Sequence, residues 1–140
     1  MVTISYAHQF NYNYDPQTGK QFPALPFRIA NLQRPELTLD TIAYLDSGAE
    51  YSLFQGWLIG KLGLDLMSGP LLRVASATGS LTEARLHKVR LFNPDLGDFA
   101  LEIGFSTAPM SRNLLGRNFF NLIQIGFRER HLSFYVTPAP

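Results

Sequence analysis

The sequence contains no cysteine. Disulfide frameworks, thiolate nucleophiles and cysteine-based zinc sites are therefore excluded. A surplus of charge is missing too: 12 Lys and Arg face 11 Asp and Glu, for a formal net charge of +1. The basic residues are scattered, so the electrostatic footprint of a nucleic-acid partner is absent. No apolar run reaches the roughly 18 to 20 residues needed to cross a bilayer. The start, Met1-Val2-Thr3-Ile4-Ser5-Tyr6, has neither a basic segment nor a long apolar stretch. No secretory signal is read there, and the expected location is cytoplasmic. His8, His87 and His131 have no ligand-like spacing to each other or to acids. No metal and no cofactor is implied. No internal repeat or low-complexity stretch occurs.

What is present is the material of one folded unit. At 140 residues the chain has the length of a single domain, 1–140. Hydrophobic residues make up 46% and aromatics 13%, enough to bury a core and to exclude disorder as the main state. Eleven Gly and nine Pro cut the chain into short segments, the punctuation of a mainly β fold. Strands are expected at Val2 to Tyr6, Leu25 to Ile29, Leu37 to Leu45 and Leu132 to Val136. Phe10 to Tyr14 alternates aromatic and polar residues. The turn sequence Asp15-Pro16-Gln17-Thr18-Gly19 follows, which predicts a hairpin within residues 1–24. Phe54 to Leu62 has helical spacing and Gly63 fits its C-terminus. Leu71 to Ala75 and Leu81 to Phe92 read as the arms of a long hairpin with Ser76 to Ser80 at its tip. Phe99 to Phe105 alternates as a strand should. Arg117 to Ile123 is expected to be a second helix, and Thr137-Pro138-Ala139-Pro140 to end regular structure.

Asp46 stands apart among the acids. It follows the apolar run Ile42-Ala43-Tyr44-Leu45 and precedes the small residues Ser47-Gly48-Ala49. A carboxylate at the buried end of a strand is costly unless something satisfies it. Small residues after it allow a tight turn and close backbone approach. Such a carboxylate could sit reactive on the floor of a cleft, or simply accept hydrogen bonds from turn N–H groups. Hydrolysis of a peptide bond wants one group to take a proton and another to give one. Two adjacent carboxylates sharing one proton meet that need. The chain offers a single Asp-Ser-Gly, so a symmetric homodimer would have to supply the second.

Tyr44-Leu45-Asp46-Ser47-Gly48-Ala49-Glu50 resembles the active-site segment of retropepsins, the retroviral-type aspartic proteases. Asn113-Leu114-Leu115-Gly116-Arg117-Asn118 resembles that family's second signature, two aliphatics before Gly-Arg-Asn or Gly-Arg-Asp at the start of a helix. The two motifs occur in the family's order with a flap-like hairpin between them. The resemblance implies a closed, barrel-like β protomer with a flap, one or two short helices and activity as a homodimer on peptide or protein substrates. Asp46 would be the catalytic aspartate. Ser47 would brace the paired loops and Gly48 would keep the backbone open. Ala49 and Glu50, with Ser76, Ala77, Thr78 and Gly79 of the flap tip, would meet substrate. Gly116 and Arg117 would support the site, with Arg117 paired to Glu50. The chain termini, Val2 to Tyr6 and Leu132 to Val136, would be candidates for an intersubunit sheet. The tip departs from viral flaps in having one glycine, and the first 24 residues exceed the viral N-terminal arm.

Other readings remain beside this one. The fold could serve as a non-catalytic dimerisation or peptide-binding module, or the chain could be monomeric and inactive until assembled. Asp46-Ser47-Gly48 with Ser52 faintly resembles a phosphorylated degradation signal, but the apolar flank argues for burial. Phe119 and Phe120 are expected in the core, and Trp57 in the core or a subunit interface. Arg128, Arg130 and His131 are expected in a solvated turn.

Overall fold

Alternation along the chain determines which strand faces turn inward. Phe99, Leu101, Ile103 and Phe105 are buried, whereas Ala100 and Glu102 between the first three are exposed. The computed structural model describes residues 1–138. In chain order the elements begin with β1 (His8–Asn11), β2 (Asn13–Asp15), β3 (Lys20–Phe22), β4 (Ala24–Asn31), β5 (Thr38–Leu45) and β6 (Leu53–Phe54). Helix α1 (Trp57–Lys61) precedes β7 (Leu71–Ala75), β8 (Leu81–Asn93), β9 (Gly97–Ser106) and β10 (Asn113–Leu115). Helix α2 (Arg117–Phe120), β11 (Ile123–Arg128) and β12 (Ser133–Pro138) complete the described chain.

Six strands close a barrel in the order β4-β5-β10-β6-β9-β8, with β8 returning to pair with β4. Closure leaves these strands without free edges. Most neighbours are antiparallel, but β10 runs parallel to β5 and β6 parallel to β9. Strand β8 outruns the barrel and pairs with β7, from Leu71 opposite Arg85 to Ala75 opposite Leu81. This is the expected hairpin, with residues 76–80 as its tip. Inside the barrel, Phe119 sits edge-on to Phe27 at 5.8 Å and to Phe99 at 5.1 Å, and it is fully buried. The expected core role of Phe119 holds, and half-buried Phe120 packs against the same cluster.

Both helices are shorter than their sequence spacing predicts. Leu53 and Phe54 are buried and go to a strand, Phe54 opposite Phe105. Gly56 then lets the chain pass the barrel wall, since a Cβ there would lie 1.9 Å from the Ser106 carbonyl oxygen. Gly63 ends the helical stretch at φ +72°, a conformation that favours glycine. Trp57 is 60% exposed, so it is not a core residue. After α2 the chain turns into β11 at Ile123, because the ladder with β12 begins there.

The N-terminal segment differs most from expectation. Val2 to Tyr6 forms no strand; β1 lies at His8–Asn11 and pairs with β12 of the same chain. Val2 and Ile4 are exposed and have no ladder to join, whereas Phe10 stacks on fully buried Phe134 at 5.3 Å. A three-stranded sheet, β1-β12-β11, results within one chain. The expected hairpin is present as β2 and β3, with Gly19 at φ +71° in its turn. At the other end, Thr137 and Pro138 belong to β12 rather than ending regular structure, while Ala139 and Pro140 lie outside the described residues. Arg130 and His131 are exposed in the short turn Glu129–His131, as expected.

Tyr12 ties β1 to that turn. It is buried and donates its hydroxyl to Glu129 Oε1 at 2.9 Å. Burial, then the hydrogen bond to Glu129 and its negative charge, push the phenol from 10.0 up to about 12. The folded chain thus holds this proton more tightly than the unfolded chain does. The resulting stabilisation is complete below the unfolded value, near about pH 10, and is lost as pH rises through about 12. Urea unfolding across this range should show stability falling in the wild type and a shallower fall in Tyr12→Phe. An equal fall in both would assign the alkaline loss to other groups.

Candidate active site

Asp46 directly follows β5, half-buried, and its position is set by the neighbouring strand. Because β10 lies parallel to β5 with Leu115 opposite Leu45, the Asp46 N–H donates to the Leu115 carbonyl at 2.9 Å. Ala49 N–H donates back to the Asp46 carbonyl at 3.2 Å, and Gly48 N–H donates to Asp46 Oδ1 at 3.0 Å. The turn-carboxylate geometry is therefore present. Among the described residues no hydrogen bond is made to Oδ2. Ser47, Gly48 and Glu50 are exposed and Ala49 is half-buried, so the loop opens outward from the barrel.

A second layer of bonds holds this loop against the segment after β10. Arg117 N–H donates to the Ala49 carbonyl at 2.8 Å. Gly116 N–H donates to Ser52 Oγ at 3.0 Å, and the Ser52 hydroxyl donates to Asn118 Oδ1 at 2.6 Å. Asn118 Nδ2 reaches the Glu102 carbonyl on β9 at 2.8 Å. Gly116 is required by contact: a Cβ there would lie 2.4 Å from the Tyr51 carbonyl oxygen and 2.7 Å from that of Ala49. On the far side of β10, Asn113 Nδ2 donates to Thr41 Oγ1 at 2.8 Å and its Oδ1 accepts from Gln55 N–H at 2.8 Å. The two motifs are thus one hydrogen-bonded unit in space.

Several expectations change here. The Glu50–Arg117 ion pair is not among the five ion pairs found over the described residues. Both residues are exposed, where water solvates each charge as well as a partner would. Arg117 supports the loop through its main chain instead. Ser52 and Asn113 carry buried hydrogen bonds that the sequence reading did not assign. Their signal was a polar residue directly before an apolar pair: Ser52 precedes Leu53-Phe54, and Asn113 precedes Leu114-Leu115.

The tip of the β7–β8 hairpin is held by its own residues. Ser76 N–H donates to the Ser80 carbonyl at 2.8 Å and Gly79 N–H to the Ser76 carbonyl at 3.0 Å. The Ser76 hydroxyl meets Thr78 Oγ1 at 2.9 Å and Ser80 Oγ at 2.7 Å. Gly79, at φ +87°, occupies the one position that demands glycine. Ser76, Ala77, Thr78 and Gly79 are all exposed, and no hydrogen bond links them to the Asp46 loop among the described residues. No group of three or more His, Asp or Glu able to hold a metal occurs among the described residues. No helix there is long and apolar enough to cross a membrane.

No protein-family profile and no curated protein matches the chain. Solved structures do. The EIAV protease in complex with the inhibitor HBY-793 matches at 16% identity with a TM-score of 0.51, over 71% of this chain and 86% of its own. A retropepsin-like aspartic protease from Rickettsia conorii matches at 14% identity with a TM-score of 0.58, over 99% of this chain and 100% of its own. The chain has the retropepsin-like fold.

Ser52 gives the site a specific vulnerability. Ser52→Ala removes the acceptor of Gly116 N–H and the donor to Asn118 in a buried position. Stability should fall by about 1–3 kcal/mol, the cost of leaving buried polar groups unpaired. Urea unfolding with an unchanged slope would check this.

Proposed function

We propose that this chain is an aspartic endopeptidase that works as a homodimer. The observation that carries the reading is the Asp46-Ser47-Gly48 loop, directly after β5 and hydrogen-bonded to the Gly116-Arg117 segment after β10, in a retropepsin-like fold. Each chain supplies one such loop, so the two-carboxylate site is completed by a second copy. In that assembly the two Asp46 side chains share one proton, because two adjacent carboxylates resist ionising together. The ionised member takes a proton from water as it attacks the scissile carbonyl, and the protonated member hydrogen-bonds the developing oxyanion. The departing amine is then protonated from the pair. Ser47 braces one loop against the other, and Gly48, without a side chain, lets the substrate backbone come close.

Ala49, Glu50 and residues 76–79 of the flap bind the substrate in an extended form, flap over peptide, and exclude water as the hairpin closes. Apolar side chains flank the cleaved bond. Activity favours acidic pH, where the pair retains its shared proton. A second reading, a non-catalytic dimerisation or peptide-binding module, draws on the bond from Gly48 N–H to Asp46 Oδ1, which gives the carboxylate a purely structural use.

One substitution separates the two. Asp46→Asn should lower cleavage of a mixed peptide pool at mildly acidic pH by about 10²- to 10⁴-fold, the usual worth of acid–base catalysis. Sedimentation of the same protein should show dimers, and wild-type specific activity should rise with concentration as dimers form. Cleavage that survives Asp46→Asn in clean protein, or activity independent of concentration in a monomer, would overturn the proposal.

A further inference from the structure

The β2–β3 hairpin has no part in the reaction just described. It forms one wall of a groove of about 910 Å³ whose lining includes Ile42 and Tyr44 of β5. The hairpin is a sheet of its own, and no ladder joins it to the barrel among the described residues. A lone two-stranded hairpin is marginal in water, so this one depends on what anchors it. Its buried anchor is Asp15, whose side chain is 5% exposed. Asp15 Oδ1 accepts from Gln17 N–H at 2.9 Å, and Oδ2 accepts from Arg112 Nη2 at 3.1 Å. The other four ion pairs among the described residues have both side chains at least 43% exposed. Asp15–Arg112 is thus the pair whose breakage would strand a charge away from water.

Arg112 is the last residue before β10. Its guanidinium lies over the Tyr44 ring at 4.7 Å and the Phe22 ring at 5.4 Å. A planar cation can face two rings while donating to a carboxylate, whereas an ammonium on a flexible stem holds no such plane. Tyr44 is also the residue opposite Leu114 in the parallel ladder. Strand β10 has only three residues, and so few ladder bonds of its own. Its far end is held by the Gly116 and Arg117 N–H groups. Its near end is held by the Asn113 side chain, on Thr41 and Gln55, and by Arg112. Leu115, whose carbonyl receives Asp46 N–H at 2.9 Å, follows Arg112 by three residues, about 10 Å along an extended strand.

We propose that the Asp15–Arg112 pair is a positioning element for the Asp46 loop. With its counter-ion and both rings in place, Arg112 fixes where β10 begins against β5. That fixes the Leu115 carbonyl, and with it the Asp46 backbone. Neither residue makes a hydrogen bond or ion pair to the Asp46 loop among the described residues, so both act through β10 and not on the reacting atoms. The effect on catalysis rests on the endopeptidase reading; the effect on the Asp46 backbone does not. The N-terminal hairpin thereby sets the geometry of the site from outside the barrel.

The test uses the full-length chain with Asp15→Asn, which keeps the side-chain shape and removes the charge. Amide hydrogen exchange, read residue by residue by NMR, should show Asp46 losing protection by about tenfold or more. Amides of the β8–β9 ladder around Val89 and Leu101 should keep theirs. On a single cleaved peptide, kcat should fall by about tenfold to a hundredfold, the cost of a small misplacement, with KM within about twofold of wild type. Should Asp15→Asn fail to fold, Arg112→Lys carries the test, since it keeps the charge and loses the planar contact with both rings. Asp46 should again lose protection ahead of the β8–β9 ladder. Loss of protection spread evenly over the barrel, or none at Asp46, would overturn the proposal and leave the pair a simple anchor of the hairpin. So would a raised KM with kcat unchanged, which would make the hairpin a binding element. Absence of cleavage by the wild-type chain would instead overturn the endopeptidase reading, and the exchange measurement would still decide the positioning.

Discussion

The hydrogen bond from Asp46 N–H to the Leu115 carbonyl depends on β10 running parallel to β5, and the site follows from that pairing. Two segments 69 positions apart, Asp46 and Leu115, share one ladder. Once the ladder forms, Arg117 N–H reaches Ala49, Gly116 N–H reaches Ser52, and the loop has no freedom to drift. Gly116 permits it, since any Cβ would collide with the Tyr51 and Ala49 carbonyls. A carboxylate on such a loop is placed by backbone bonds. That leaves its side chain for chemistry and suits a function that needs two such loops in fixed register.

The rest of the barrel keeps this pairing rigid. Barrel closure through β4 and β8 removes the free edges, and a core of interlocked aromatics, with Phe119 between Phe27 and Phe99, resists shear. The terminal strands add a separate sheet within the chain, so β1, β12 and β11 need no second copy to satisfy one another. The 60% exposed Trp57 is a large apolar group outside the core.

The hairpin at β2–β3 is a separate two-stranded sheet tied to the outside of the barrel. A single buried carboxylate, Asp15, and one clamped arginine, Arg112, fix it against β5. Arg112 stands immediately before the Asn113 that starts β10. The hairpin, the outer face of β5 and the Gly116 segment are thus linked through a few neighbouring residues.

Much of the fold was legible from local pattern. The alternation of residues 99–105, the arms around 76–80, the turn at Gly19 and the helix stop at Gly63 each have a local cause. So did Asp46, because an acid between an apolar run and Ser-Gly-Ala is unusual on any reading. The errors lay where distant partners decide. Phe54 has helical spacing with Trp57 and Leu58, yet β9 claims it; Ile123 leaves its helix for β12. Val2 to Tyr6 has strand composition but no partner, while His8–Asn11 has one. The Glu50–Arg117 pair failed because two matched motifs do not fix where exposed side chains lie. By itself the sequence determined a β-rich unit, one acid of interest and a single copy of its loop, since these depend on residue type and near neighbours. Tertiary structure alone decided that Ser52 and Asn113 hold the site and that the hairpin walls a groove beside it, because those contacts join residues far apart in the chain.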